Sequence, residues 1–303
     1  MSDFNEMSEN RIHLSSVISR EFKGYPFSLE VEIDNYSNYK SQQELFGVEG
    51  KDVQLFAISP TVSRQVFGLD FDFSLGLDYA SDAGLDLFPS VIASKELVKN
   101  VLLVSLGLED NKYRNTYKSL SDENPFIHTL GTNQNVISGD TLLNLQTSET
   151  KQFFCNIKNL LGYNDVWDAS ISYGFVENLA YFDNNYQSDY NRFIVYYADA
   201  WQLFISSAYE REINQILHFN INAEYYHWSN VQLAHKPNLF IYTSFPINLR
   251  DKIICKPVFQ YFGKQIAIAQ NETQLGSIFH FNLSIEYYYS STLSTYFLLN
   301  NLT

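Results

Sequence analysis

The stretch FGLDFDFSLGLDY, Phe67 to Tyr79, alternates without a break. Its odd positions, Phe67, Leu69, Phe71, Phe73, Leu75, Leu77 and Tyr79, are apolar, and its even positions, Gly68, Asp70, Asp72, Ser74, Gly76 and Asp78, are small or acidic. Successive side chains of a strand point to opposite faces, so the pattern predicts one strand with an apolar face and a polar face. At about 3.3 Å per residue the stretch is roughly 43 Å long. Tilted by about 45°, it crosses roughly 30 Å, the thickness of a bilayer's hydrocarbon core. Strands of soluble domains are typically only about 5–6 residues long. The apolar face carries no Lys, Arg, Asp or Glu, as contact with lipid requires.

The same period recurs along the chain. PFSLEVEID (26–34) sets Phe27, Leu29, Val31 and Ile33 against Ser28, Glu30, Glu32 and Asp34. ILHFNINAEYY (216–226) sets Leu217, Phe219, Ile221, Ala223 and Tyr225 against His218, Asn220, Asn222, Glu224 and Tyr226. SIFHFNLSIEYYYS (277–290) sets Phe279, Phe281, Leu283, Ile285, Tyr287 and Tyr289 against His280, Asn282, Ser284, Glu286 and Tyr288. Less regular strands are expected near 10–20, 51–59, 84–93, 99–109, 151–161, 165–176, 191–199, 201–210, 238–248, 252–262 and 292–300. Turn signals fall at NYSN (35–38), SDAG (81–84), DNN (183–185) and NLRDK (248–252). SKELVKNVL (94–102) has some helical character but reads better as a turn into the strand LLVSLGL. Residues 110–150, rich in Asn, Ser and Thr, read as one long loop, which a barrel tolerates on one rim.

Composition supports this reading. Charged residues are 18% of the 303, below the roughly 25% of soluble proteins. Aromatics reach 16%, too many for a disordered chain. Tyr79, Tyr225, Tyr226, Trp228 and Tyr287 to Tyr289 gather at strand ends, as interfacial girdles do. A formal net charge of −14, without Lys/Arg clusters, argues against a nucleic-acid partner. No apolar run is long enough for a transmembrane helix. The opening MSDFNEMSEN has neither a basic segment nor an apolar one, so it reads as no signal peptide. An outer-membrane location then implies a natural start further upstream.

These features predict one all-β domain over 1–303, an antiparallel transmembrane β-barrel of about 14 strands. Phe67, Leu69, Phe71, Phe73, Leu75, Leu77, Leu217, Phe219, Ile221, Phe279, Phe281, Leu283 and Ile285 are the lipid-facing candidates. Glu30, Glu32, Asp34, Asp70, Asp72, Asp78, His218, Glu224, His280 and Glu286 are the lumen-facing candidates. An acidic lumen would favour cations, as charged rings in pores do. The competing architecture is a large soluble β-sandwich, whose inner faces also alternate.

Chemical motifs are few. Phosphate-binding, dinucleotide, G-x-S-x-G and H-E-x-x-H patterns are missing. Cys155 and Cys255 have neither a CxxC pattern nor His-rich neighbours, so no metal site is read from them, and their pairing is left open. HWSN (227–230) resembles the His-x-Ser-Asn of outer-membrane phospholipases, in which His activates the Ser hydroxyl. Here Val231 replaces the glycine that usually follows, and no orienting Asn can be identified. A lipid-active barrel enzyme and a non-transporting structural or adhesion barrel therefore stand as alternatives. The expectation is no catalytic residue, no cofactor and no metal.

The final segment, FHFNLSIEYYYSSTLSTYFLLNNLT (279–303), resembles a late barrel hairpin of TonB-dependent-receptor-type outer-membrane proteins, especially those of Bacteroidota. A long aromatic strand, LS-x-x-F and NNLT carry the likeness, and DKIICKPVFQYFGK (251–264) fits it more loosely. The resemblance implies the wall of an uptake barrel in contact with membrane lipid, serving transport with a plug domain and an energy-coupling partner. Plug, coupling segment and closing strand are not recognisable here. The chain is therefore expected to be a piece of a longer barrel, incomplete or open at its seam.

Overall fold

A computed structural model describes residues 10–37, 52–81, 84–127, 145–160, 162, 164–184, 193–230, 236–268 and 273–302. Among the described residues seventeen strands and one short helix follow in chain order. They are β1 (Asn10–Phe22), β2 (Tyr25–Ser37), β3 (Val53–Val66), β4 (Leu69–Ala80), β5 (Gly84–Val98), β6 (Leu102–Arg114), α1 (Tyr117–Glu123), β7 (Thr147–Leu160), β8 (Asp165–Asn184) and β9 (Phe193–Glu212). Then come β10 (His218–Trp228), β11 (Leu239–Ser244), β12 (Ile247–Leu249), β13 (Ile253–Phe262), β14 (Gln265–Ile268), β15 (Thr273–Leu275), β16 (Ile278–Tyr288) and β17 (Ser294–Leu299).

Fifteen strands form one antiparallel sheet in near-sequential order, from β1 at one edge to β17 at the other. A sandwich needs two large sheets face to face. Here, among the described residues, only the β14–β15 hairpin lies outside the main sheet. Among the described residues β1 and β17 do not pair with each other, so the sheet is open.

The opening stretch is a strand from Leu69 rather than Phe67. Phe67 and Gly68 make the two-residue turn from β3, with φ of 53° and 73°. Lys23–Gly24 joins β1 to β2 in the same way, with φ of 51° and 84°. Positive φ at both central residues matches the twist of a tight hairpin, and glycine adopts it without a steric penalty. Phe67 is 97% exposed.

Several expectations shift. The two segments expected at 191–199 and 201–210 are one strand, β9. The segment at 238–248 is split by Phe245 and Pro246 into β11 and β12, because proline cannot donate to a ladder. β2 runs through the turn signal at 35–37, and β8 runs through Asp183 and Asn184. Residues 94–102, by contrast, are as expected: they end β5, turn, and enter β6. The loop expected at 110–150 begins later, since β6 continues to Arg114 and β7 starts at Thr147. Between them lies α1, capped by Thr116, whose hydroxyl accepts the Ser119 N–H at 3.0 Å. Positions 128–144 lie outside the described residues.

The connections have two characters. On one rim they are short: 23–24, 67–68, 99–101, 161–164, 213–217, 250–252 and 289–293. On the other rim they are mostly long: 38–52, 115–146, 185–192, 229–238 and 263–277, with 81–83 the exception. The main buried apolar cluster sits at the long-connection rim. Leu120 of α1 and Ile127 pack there with Leu145, Ala180, Phe182 and Val195.

Candidate functional site

The sheet has two chemically distinct faces, set by register. Across β2, β3, β4 and β5 the cross-strand rows run Glu32–Ala57–Asp78–Asp86 and Ser28–Thr61–Ser74–Ser90. The neighbouring rows run Ile33–Phe56–Tyr79–Leu85 and Val31–Ile58–Leu77–Leu87. The polar rows border a concave chamber of about 1410 Å³. The apolar rows continue across the wall as Leu106 beside Cys155 and Ile171, and Leu108 beside Phe153 and Tyr173. Phe73, Leu75, Leu108, Phe153 and Tyr173 are each more than two-fifths exposed on this face.

Of the lumen-facing candidates, Glu30, Glu32, Asp34 and Asp78 line the chamber. Asp34 is held by the Arg11 guanidinium in two hydrogen bonds, Nε to Oδ1 at 2.6 Å and Nη2 to Oδ2 at 3.0 Å. His13 Nδ1 lies 3.0 Å from the same carboxylate. Asp70 and Asp72 share the polar face nearer the short-turn rim, where they accept from Gln65 and Ser63 of β3. His218, Glu224, His280 and Glu286 lie further round the sheet, on β10 and β16. Glu224 accepts from Asn222 at 2.9 Å and from the Tyr226 hydroxyl at 3.2 Å. Glu286 accepts from Ser294 at 2.8 Å, and His280 meets the Phe262 ring edge-on.

Of the lipid-facing candidates, Leu69, Phe71, Phe73, Leu75 and Leu77 alternate on β4 with the acids. Phe219 and Ile221 do so on β10, and Phe279, Phe281, Leu283 and Ile285 on β16. Leu217 stands just before β10, bridged to Ile247. Phe259 and Phe281 stack across the β13–β16 ladder, with ring centroids 4.7 Å apart.

The densest electrostatic feature was not visible in the sequence pattern. β5 and β6 pair only up to Val91↔Leu108. Beyond that row β5 stays with β4 and β6 stays with β7, so the two strands part toward the long-connection rim. Asp110 and Lys112 are in phase with Leu106 and Leu108, yet they border the chamber. Lys112 Nζ lies 2.9 Å from Asp78 and 2.8 Å from Asp86, on the polar face of β4 and β5. It is 3.9 Å from Asp110 and 4.0 Å from Glu149. Lys151 Nζ pairs with Glu149 at 2.5 Å.

Two glycines just below allow this turn of the wall. A Cβ on Gly107 would come within 2.8 Å of both the Phe154 ring and the Val91 carbonyl. One on Gly174 would come within 2.3 Å of the Lys151 carbonyl. Glycine in a strand interior marks a sharp bend or a close backbone approach, and both positions fit. The step from Leu108 to Asp110, apolar to acidic in one phase, was the sequence signal available.

The HWSN residues are not assembled as a catalytic pair. The Ser229 hydroxyl accepts the Trp201 N–H at 2.9 Å, and the Ser229 N–H donates to the Trp201 carbonyl at 2.9 Å. Ser229 thus extends the β9–β10 ladder by one link. Among the described residues no hydrogen bond joins it to His227. Cys155 and Cys255 are both free thiols, on β7 and β13.

An open antiparallel wall, apolar on one face and polar on the other, is the architecture of a β-barrel wall. Known proteins agree at the level of fold. No family model and no curated protein matches the chain in sequence. Solved structures do. A mutant of the ferric enterobactin receptor PfeA from Pseudomonas aeruginosa matches with a TM-score of 0.63 at 13% identity, over 99% of this chain and 50% of that one. The siderophore receptor PirA from Pseudomonas aeruginosa matches with 0.62 at 14% identity, over 97% and 53%. The copper transporter OprC matches with 0.61 at 13% identity, over 97% and 51%. The chain thus spans about half the length of these receptors, and its fold is that of their barrel wall. The likeness read in 279–303 was to barrels of this kind.

Proposed function

We propose that the chain is part of the wall of an outer-membrane uptake barrel of the TonB-dependent-receptor type. The observation that carries this reading is the predominantly apolar phase that runs along one face of a single long-stranded sheet, on β6 as far as Leu108. That face meets lipid, and the acidic face with its chamber lines the lumen. The long-connection rim lies outside the cell, because such barrels keep short turns on the periplasmic side. A plug domain and an energy-coupling protein supply gating in the full assembly, and the wall performs no catalysis. The late hairpin, with NNLT, supports a Bacteroidota-type member.

Spin labels test the sidedness of the wall. In vesicles, a label at Leu75→Cys should be relaxed by oxygen dissolved in lipid. One at Ser74→Cys should be relaxed by a water-soluble nickel complex. The reverse pattern, or equal exposure of both to the nickel complex, would defeat the membrane reading.

A further inference from the structure

We infer that the parted ends of β5, β6 and β7 bind a hard divalent cation of the calcium class. One carboxylate oxygen from each of Asp86, Asp110 and Glu149 lies within 4.8 Å of the others. Calcium–oxygen bonds are about 2.3–2.6 Å, so two oxygens on one ion are at most about 5 Å apart. The three oxygens are therefore close enough to share a single ion after small side-chain adjustments. An all-carboxylate donor set selects hard cations over zinc or copper.

The independent observation is Asp110. Its side chain is only 7% exposed. Its Oδ1 is buried with no hydrogen-bond partner. The nearest ammonium, Lys112 Nζ, stands 3.9 Å from Oδ2, beyond hydrogen-bond reach, and is committed to Asp78 and Asp86. A buried carboxylate oxygen left unpaired is costly, and a bound cation removes that cost. Charge counting agrees. Four carboxylates, Asp78, Asp86, Asp110 and Glu149, face only two ammonium groups, Lys112 and Lys151, so acids outnumber bases in the cluster. Glu109 and Glu177 also line this part of the chamber and add to its negative field. Lys112 Nζ itself lies 2.8 Å from Asp86, 3.9 Å from Asp110 and 4.0 Å from Glu149, so an ion entering the site must displace its ammonium.

This inference rests on the side chains and not on the transport reading, and its test needs no membrane potential or substrate. The chain, folded in detergent micelles, is titrated with calcium chloride in a calorimeter. One saturable site with a Kd below about 1 mM is expected. Asp110→Asn and Glu149→Gln should each weaken binding about tenfold or more. Lys112→Met, which removes the competing cation, should tighten it. Heat modifiability on a gel reports whether each variant is folded, and should any one fail to fold, the remaining two decide. Absence of saturable binding overturns the inference. So does binding that survives both carboxylate substitutions unchanged, or that weakens in Lys112→Met.

Discussion

The ladder between β4 and β5 and the upper ends of β6 and β7 are built from similar residues but obey different rules. From Asp70↔Ser94 to Ala80↔Gly84 the β4–β5 ladder never slips, and every second residue stays on its face. β6 and β7 keep an equally unbroken register with each other. Yet above Leu108 their apolar phase becomes Asp110 and Lys112, and these side chains meet the polar face of β4 and β5. Periodicity therefore reports a face only while both neighbouring ladders hold. Where one ladder ends, the strand is free to twist, and its phase loses its meaning.

The comparison can be broken most forcefully at the regular ladder. Leu75→Arg should lower unfolding free energy in vesicles by about 2–4 kcal/mol, as for Arg on a lipid face near mid-bilayer. Ser74→Arg, one residue away on the polar face, should cost far less. Urea titration followed by tryptophan fluorescence measures both, and equal costs would mean that the two faces are not distinct.

The twisted region should break next. Gly174→Ala places a Cβ against the Lys151 carbonyl and should cost about 1–3 kcal/mol by overpacking. Gly76, on the regular ladder, has 3.6 Å to the nearest atom, so Gly76→Ala should be nearly neutral in the same titration. Lys112→Met, measured without added divalent cation, should destabilise by about 1–2 kcal/mol, since it strands carboxylates that are only partly solvated. High salt should reduce that difference. Phe67→Asn should have the smallest effect, within about 0.5 kcal/mol in micelles, because the ring is exposed and Asn tolerates the turn's positive φ.

The legible part of the molecule was the part governed by local pattern. The alternation at 67–79, 26–34 and 277–290 located β4, β2 and β16 to within a few residues, and Glu30, Glu32, Asp34 and Asp78, read as polar phase, border the chamber. The ends were read less well. Phe67 continued the period but sits in the turn, because the Phe-Gly pair takes the hairpin's positive φ values. Asp86, Asp110, Lys112 and Glu149 were not singled out. Their meeting depends on where the β5–β6 ladder stops, a tertiary event set partly by Gly107 and Gly174. The His-x-Ser-Asn match at 227–230 showed the converse, a local pattern whose serine is used by the backbone of the next strand.

The two rims also bear on how such a wall diverges. A two-residue turn fixes the register of both strands it joins, so a length change at 23–24 or 67–68 would shift a whole ladder. A long connection has no such grip: doubling its length costs only about 0.6 kcal/mol in closure entropy. Insertions and deletions can therefore accumulate on the long-connection rim while the staves of the wall keep their spacing. This asymmetry helps a backbone match PfeA at a TM-score of 0.63 with 13% of residues in common. The architecture is fixed through one rim, while the other is free to vary.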